Sequence, residues 1–193
     1  LNSSLALTLD NYFGRMRYDT TIFVSDLERG DRLIPLGETV PGVEKVELDY
    51  GQQANLFLEG QQVKDAGIST NIRGIAAGSD IYEPLIVAGR WLSAQDVGRV
   101  LVIPRQTAED YEIKVGDIIT LDLGIYGEDD WQVIGLYEPV FIGGFSSVSL
   151  YAPMETLYKL SKKYNQASQI MVRTTAHDKE TVAAITKNLK EVY

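Results

Sequence analysis

The side chains that most often perform chemistry are scarce here. His177 is the only histidine and there is no cysteine among the 193 residues. Cys-His pairs and multi-histidine metal sites therefore cannot be assembled, and no Ser-His-Asp relay is built around that lone imidazole. His177 sits just before a helix expected to begin at Asp178 and reads as a surface turn residue. Glu128, Asp129 and Asp130, and separately Glu109 with Asp110, offer oxygen ligands to a hard cation, but neither group follows the Asp-x-Asp-x-Asp-Gly spacing of a calcium loop. They read as solvated surface, so no metal site is expected. Acid and base carboxylates must converge in a cleft, and 27 acidic residues single out no pair. Gly-x-Gly-x-x-Gly and Gly-x-x-x-x-Gly-Lys are both absent, so no phosphate loop is expected. One stretch remains, Phe141-Ile142-Gly143-Gly144-Phe145. Its glycines let Phe141 and Phe145 project from a loop as a partner or substrate contact, or the two rings cap a β-rich core.

Composition narrows the classes further. With 45% hydrophobic and 23% charged residues the chain is globular and long enough for one domain or two small subdomains. A net charge of −9 argues against nucleic acid and against an anionic lipid surface, since both need clustered Lys and Arg. The longest basic run is Lys162-Lys163. No run approaches the roughly 20 apolar residues that cross a bilayer, and no signal peptide is visible at a start that is not Met. The sequence reads as a soluble piece excised from a longer protein.

The elements follow from periodicity. Leu5, Leu9, Tyr12, Phe13 and Met16 form one helical stripe within Ser3 to Arg17. A strand at 19–24, a helix at 27–40 and a strand at 43–50 then read as β-α-β. The next hundred residues are mainly β, with strands at 55–59, 68–76, 100–103, 118–123, 131–136 and 147–151. A turn at 124–130 and a helix of about two turns from Arg105 to Tyr111 interrupt them. A helix from Pro153, a strand at 168–174 and a helix at 178–192 close the chain. The terminal strand-helix pair echoes the first one. The two ends are expected to share one sheet with both helices on one face, and the β-rich middle is inserted between them.

Within Ala88 to Tyr137, a Gly-Arg turn (Gly89, Arg90) precedes an acid (Asp96), a strand (Val100 to Ile103) and a short helix carrying Ala108. Val115-Gly116-Asp117 with its strand follows, and then an aromatic-x-Val-x-Gly strand of Trp131, Val133 and Gly135. This order resembles the extracytoplasmic domain of MacB/FtsX-type ABC transporter permeases. The resemblance implies an α+β fold: a porter-like split β-α-β layer formed by both chain ends (1–78 and 151–193) and an inserted, mainly β, sabre-like subdomain (79–150). It implies a membrane protein with this domain on the periplasmic or extracellular side. Gly89, Arg90, Gly116 and Asp117 would then serve turn geometry and a charged or hydrogen-bonded tie, not an active site.

The function so implied is non-catalytic. ATP would act in a separate cytoplasmic ATPase subunit or domain, no cofactor would bind here, and the permease would pair with a second copy. The domain would couple motion of the membrane helices to export or to work outside the membrane, on a substrate, an adaptor protein or another extracytoplasmic partner. The opening helix would continue the first membrane span. The alternative is a binding module that captures a lipid, peptide or antibiotic in a sizeable apolar cleft. A stand-alone hydrolase with a carboxylate pair has no nucleophile or metal constellation to support it.

Overall fold

A run of β-branched and aromatic residues, Thr20-Thr21-Ile22-Phe23-Val24, sets the first strand, and the far end of the chain completes its sheet. The computed structural model describes residue 15 and residues 17–58, 67–139, 141–142, 145–146 and 149–193. The expected opening helix lies almost wholly outside the described residues. Two compact units emerge. The first takes the described residues of Leu1–Tyr50 with Ser79–Glu83 and Asn165–Tyr193, and the second takes Gly51–Gly78 and Pro84–Tyr164.

In the first unit, β1 (Thr20–Arg29) pairs antiparallel with β11 (Gln166–Thr174), which pairs antiparallel with the opening half of β2 (Val43–Phe57). Ile22, Ile170 and Leu48 lie in register, all buried, on the face covered by α1 (Gly30–Glu38) and α4 (Lys179–Val192). Leu33 of α1 and Ile185 and Leu189 of α4 are buried there, each contributing roughly 1.5–3 kcal/mol of apolar transfer. Asp178 caps α4 by accepting from Thr181 N–H at 2.9 Å. Tyr193, after α4, donates its hydroxyl to Leu33 O, and burial pushes its phenol up to about 12. The two ends therefore form one sheet with both helices on one face, as the echo of strand and helix implied.

The expected boundaries shift where distant partners override local propensity. β1 continues to Arg29, because a register shift between Phe23 and Glu28 keeps it paired with Ala167 and Gln166. The helix then starts only at Gly30. A Cβ at that position would fall 2.4 Å from Asn165 Oδ1 and 2.6 Å from a Leu48 methyl, so a larger residue there would make both side chains shift. The expected strands at 43–50 and 55–59 are one continuous β2, whose polar Gly51 to Gln53 run stays in the ladder.

The second unit closes on itself. Its strands are the second half of β2, then β3 (Ile68–Ile75), β10 (Ser149–Pro153), β5 (Val100–Pro104) and β7 (Glu128–Glu138) in neighbouring order. β6 (Ile118–Asp122) pairs with both β7 and β2 and completes a ring of six strands. Closure leaves these strands without open edges. Leu56, Ile72, Leu101, Leu121, Trp131 and Leu150 are fully buried in this unit. β4 (Leu85–Gly89), absent from the sequence reading, pairs with β7 alone, and its half-exposed residues hid it from a search for buried strands. α2 (Arg105–Asp110) and α3 (Met154–Ser161) follow β5 and β10. β10 pairs parallel with β3, so 51–78 and 151–164 sit in the second unit while Ser79–Glu83 joins the first. The stretch read as a loop around Phe141 holds two short antiparallel strands, β8 (Phe141–Ile142) and β9 (Phe145–Ser146). No helix among the described residues is long and apolar enough to cross a membrane.

Candidate functional site

The residues singled out from the sequence fall into separate places. Gly89, with φ of +66°, stands opposite Gly135 in the β4–β7 ladder. A Cβ on Gly89 would meet Ile134 O at 2.3 Å and one on Gly135 would meet Arg90 O at 2.1 Å, so the two backbones touch only because both are glycine. Arg90 makes two 2.7 Å hydrogen bonds to Asp96, which also accepts from Ser93 N–H at 2.7 Å. The Arg90 guanidinium, with Ser93, holds the Asp96 carboxyl down at about 2. Asp117 accepts from Lys114 N–H at 2.8 Å, and Gly116 N–H donates to Val133 O at 2.7 Å. These pattern residues build turns and a charged tie, as expected.

The acidic groups do not converge. Glu128, Asp129 and Asp130 lie in β7 rather than in a turn, where alternation sends neighbours to opposite faces. Asp129 is bound by Arg99 at 2.8 Å and Asp130 accepts from Thr120 Oγ1 at 2.8 Å. Glu109 is bound by Arg105 at 2.7 Å. Among the described residues, no three His, Asp or Glu side chains gather as a metal set. The backbone of Phe141 pairs with Ser146, and that of Phe145 with Ile142.

The most structured polar assembly lies in the first unit, and the sequence reading named none of it apart from His177. Here a cleft of about 1070 Å³ opens, lined by Arg17, Asp19, Glu44, Asp80, Arg173 and His177, with Lys179, Val182 and Ala183 of α4. At one side, Asp19 accepts from Thr174 N–H at 2.8 Å through one oxygen and lies 2.8 Å from His177 Nδ1 through the other. His177 is thus an exposed turn residue with a structural partner.

At the other side, Asp80 accepts from Lys45 Nζ at 2.6 Å and from Arg173 at 3.1 Å. The Lys45 hydrogen bond, assisted by Arg173, holds the Asp80 carboxyl down at about 2. Arg173 also lies 3.1 Å from Glu44, and Ser79 Oγ donates to Glu47 at 2.6 Å. The segment 79–83 crosses the sheet face opposite the helices, with Ile81 fully buried. Its backbone receives Arg17 N–H on Ile81 O at 2.8 Å and donates Glu83 N–H to Arg15 O at 3.0 Å, and the Arg17 side chain binds Glu83 at 2.6 Å. The charged lining is largely engaged within the protein, so the arrangement serves to hold segments together rather than to present reacting groups. Sequence separations of 35 and 93 residues between Asp80 and its two cations left no local signal to find.

Residues 6–192 match the family described as MacB-like periplasmic core domain. The chain belongs to that family. The mixed α+β fold agrees, and MacB-like domains of known structure share it. The extracellular domain of the noncanonic ABC-type transporter YknZ from Gram-positive bacteria is similar at a TM-score of 0.62 and 17% identity, over 89% of this chain and 90% of that one. The periplasmic region of MacB from Actinobacillus actinomycetemcomitans is similar at a TM-score of 0.59 and 20% identity, over 96% of this chain and 89% of that one. No curated relative matches this chain.

Proposed function

We propose that this MacB-like domain is a non-catalytic relay on the outer side of the membrane. It couples ATP-driven motion of membrane helices to export or to work outside the membrane. The hydrolysing ATPase is a separate cytoplasmic subunit or domain, and the transporter works as a dimer of permeases. The observation that carries this reading is the tie of Arg15 and Arg17 to Ser79–Glu83 within a layer built from both chain ends. A segment that enters the domain from a membrane span and is hydrogen-bonded into its sheet hands on any displacement of that span. In this reading Phe141 and Phe145 contact the substrate, an adaptor or another partner.

The cleft in the first unit favours a second reading, capture of a lipid, peptide or antibiotic. Its volume suffices, yet a polar ligand would have to displace ion pairs already made, which lowers its net gain.

The test uses the full-length transporter with a Gly-Gly pair inserted near Asn11, which would soften the opening helix expected from the sequence. Transport should be lost while ATP hydrolysis continues, with the folding of the domain verified by circular dichroism. Unchanged transport in a folded variant contradicts the relay.

A further inference from the structure

We infer that Ser79–Glu83 is a latched strap: Asp80, gripped by Lys45 of β2 and Arg173 of β11, fastens the strap to the sheet, and the strap in turn fastens Arg15 and Arg17. This rests on the relay reading and names the device that engages it.

The argument starts from what holds such a short segment in place. Five residues that form no strand, with a single bridge at Tyr82, lose conformational entropy on ordering, and something must offset that loss. Ile81 supplies one anchor, buried to 0% exposure. The second anchor is electrostatic. Asp80 is bound by Lys45 of β2 and by its register partner Arg173 on the neighbouring β11, while Ser79 reaches Glu47 on β2. Lys45 also pairs with Glu47, so strap and sheet share one network. The strap's outer edge carries the two backbone hydrogen bonds to Arg15 and Arg17 and the Arg17–Glu83 ion pair. Arg15 and Arg17 are therefore bound to the strap, which Asp80 and Ile81 bind to the sheet, while the chain itself joins the sheet from Asp19, whose N–H donates to Val172 O.

Two properties follow. The Lys45 hydrogen bond, with Arg173, holds the Asp80 carboxyl well below the usual carboxylate range, so the latch is ionised near neutral pH. Its side chain is 46% exposed, so salt screens it. The latch is therefore sensitive to ionic strength and to any binding event that competes for Lys45 or Arg173.

Amide hydrogen exchange on this chain tests the idea, comparing the native protein with Asp80→Asn, which keeps the shape and removes the charge. The N–H groups of Arg17 and Glu83 should exchange about tenfold faster in the variant, as the loss of a charge-assisted hydrogen bond implies. Those of Ile170 and Val172 in β11 should not change. Raising salt to about 1 M should speed the same two amides in the native chain, and by a smaller factor in the variant, where only the Arg17–Glu83 ion pair remains to be screened. Native protection of Arg17 and Glu83 in Asp80→Asn, or equal loss across β11, overturns the latch. Should Asp80→Asn fail to fold, the salt series on the native chain decides alone: no acceleration at Arg17 and Glu83 overturns it. If the amides are freed but the full-length Asp80→Asn transporter works normally, the latch stands and the relay reading falls.

Discussion

The two units are tied together by opposite means. In the first, polar contacts join residues far apart in sequence: Tyr193 to Leu33 across 160 positions, His177 to Asp19 across 158, Gln169 to Asp49 across 120 and Arg173 to Asp80 across 93. In the second, most join near neighbours: Arg90 to Asp96 across 6, Lys114 to Asp117 across 3 and Thr120 to Asp130 across 10. The second unit can assemble largely from its own stretch, with a closed ring of strands around Trp131. The first exists only when both chain ends meet. Closing such long loops costs chain entropy, so it is also expected to form later in folding.

Both tryptophans, Trp91 and Trp131, belong to the second unit, so indole fluorescence reports that unit while far-ultraviolet circular dichroism reports both. The largest effect is expected from Gly135→Ala. Its Cβ would lie 2.1 Å from a backbone oxygen that cannot move aside, costing about 3 kcal/mol or more and shifting the fluorescence midpoint in urea. A shift of less than about 1 kcal/mol would mean that the ladder yields more easily than its geometry says.

Leu189→Ala comes next. The α4 side chain is fully buried, and its loss should cost about 3 kcal/mol, read as an earlier loss of far-ultraviolet dichroism with the fluorescence midpoint unmoved. Equal shifts in both signals would break the comparison between units.

The smallest effect is expected from Asp96→Asn, about 2 kcal/mol near neutral pH, from a carboxyl lowered from 3.8 to about 2 in a side chain only 9% exposed. A depressed carboxyl stabilises above its unfolded value and loses that contribution as pH falls toward the folded one. The native protein should therefore weaken between about pH 4 and pH 2 by fluorescence, and the variant should show a flatter profile over that window. Parallel profiles would assign the Asp96 contribution to hydrogen bonding without charge.

How much of this was legible depended on the range of the interactions. The β1–α1 and β11–α4 echo, the cap at Asp178 and the turn at Val115 to Asp117 are set by residues close in sequence, and each was readable. Gly89 and Gly135 were visible as a spacing, although their mutual contact was not. The extension of β1 to Arg29 depends on Ala167 and Gln166, which no local pattern around Leu27 announces. β4 escaped notice because Leu85 and Val87 are partly exposed at a sheet edge. The acids of β7 read as a turn because three carboxylates in a row favour solvent, whereas Arg99 and Thr120 hold two of them in a strand. Ser79 to Glu83 has no periodicity at all. Its meaning lies in Lys45 and Arg173, and only the folded sheet brings them to Asp80.

The central claim is that the two chain ends make one layer that moves as a body. Cysteine substitution of Arg29 and Gln166, register partners on β1 and β11 and both accessible, tests it directly, because this sequence contains no other cysteine. Neighbouring antiparallel residues stand about 4.5–5.5 Å apart at Cα, within the reach of a disulfide. In the full-length transporter carrying Arg29→Cys and Gln166→Cys, oxidation should fix the ends together and leave ATP-driven transport unchanged. Transport that stops on oxidation and returns on reduction would show that the ends must part, and would contradict a layer that moves as one.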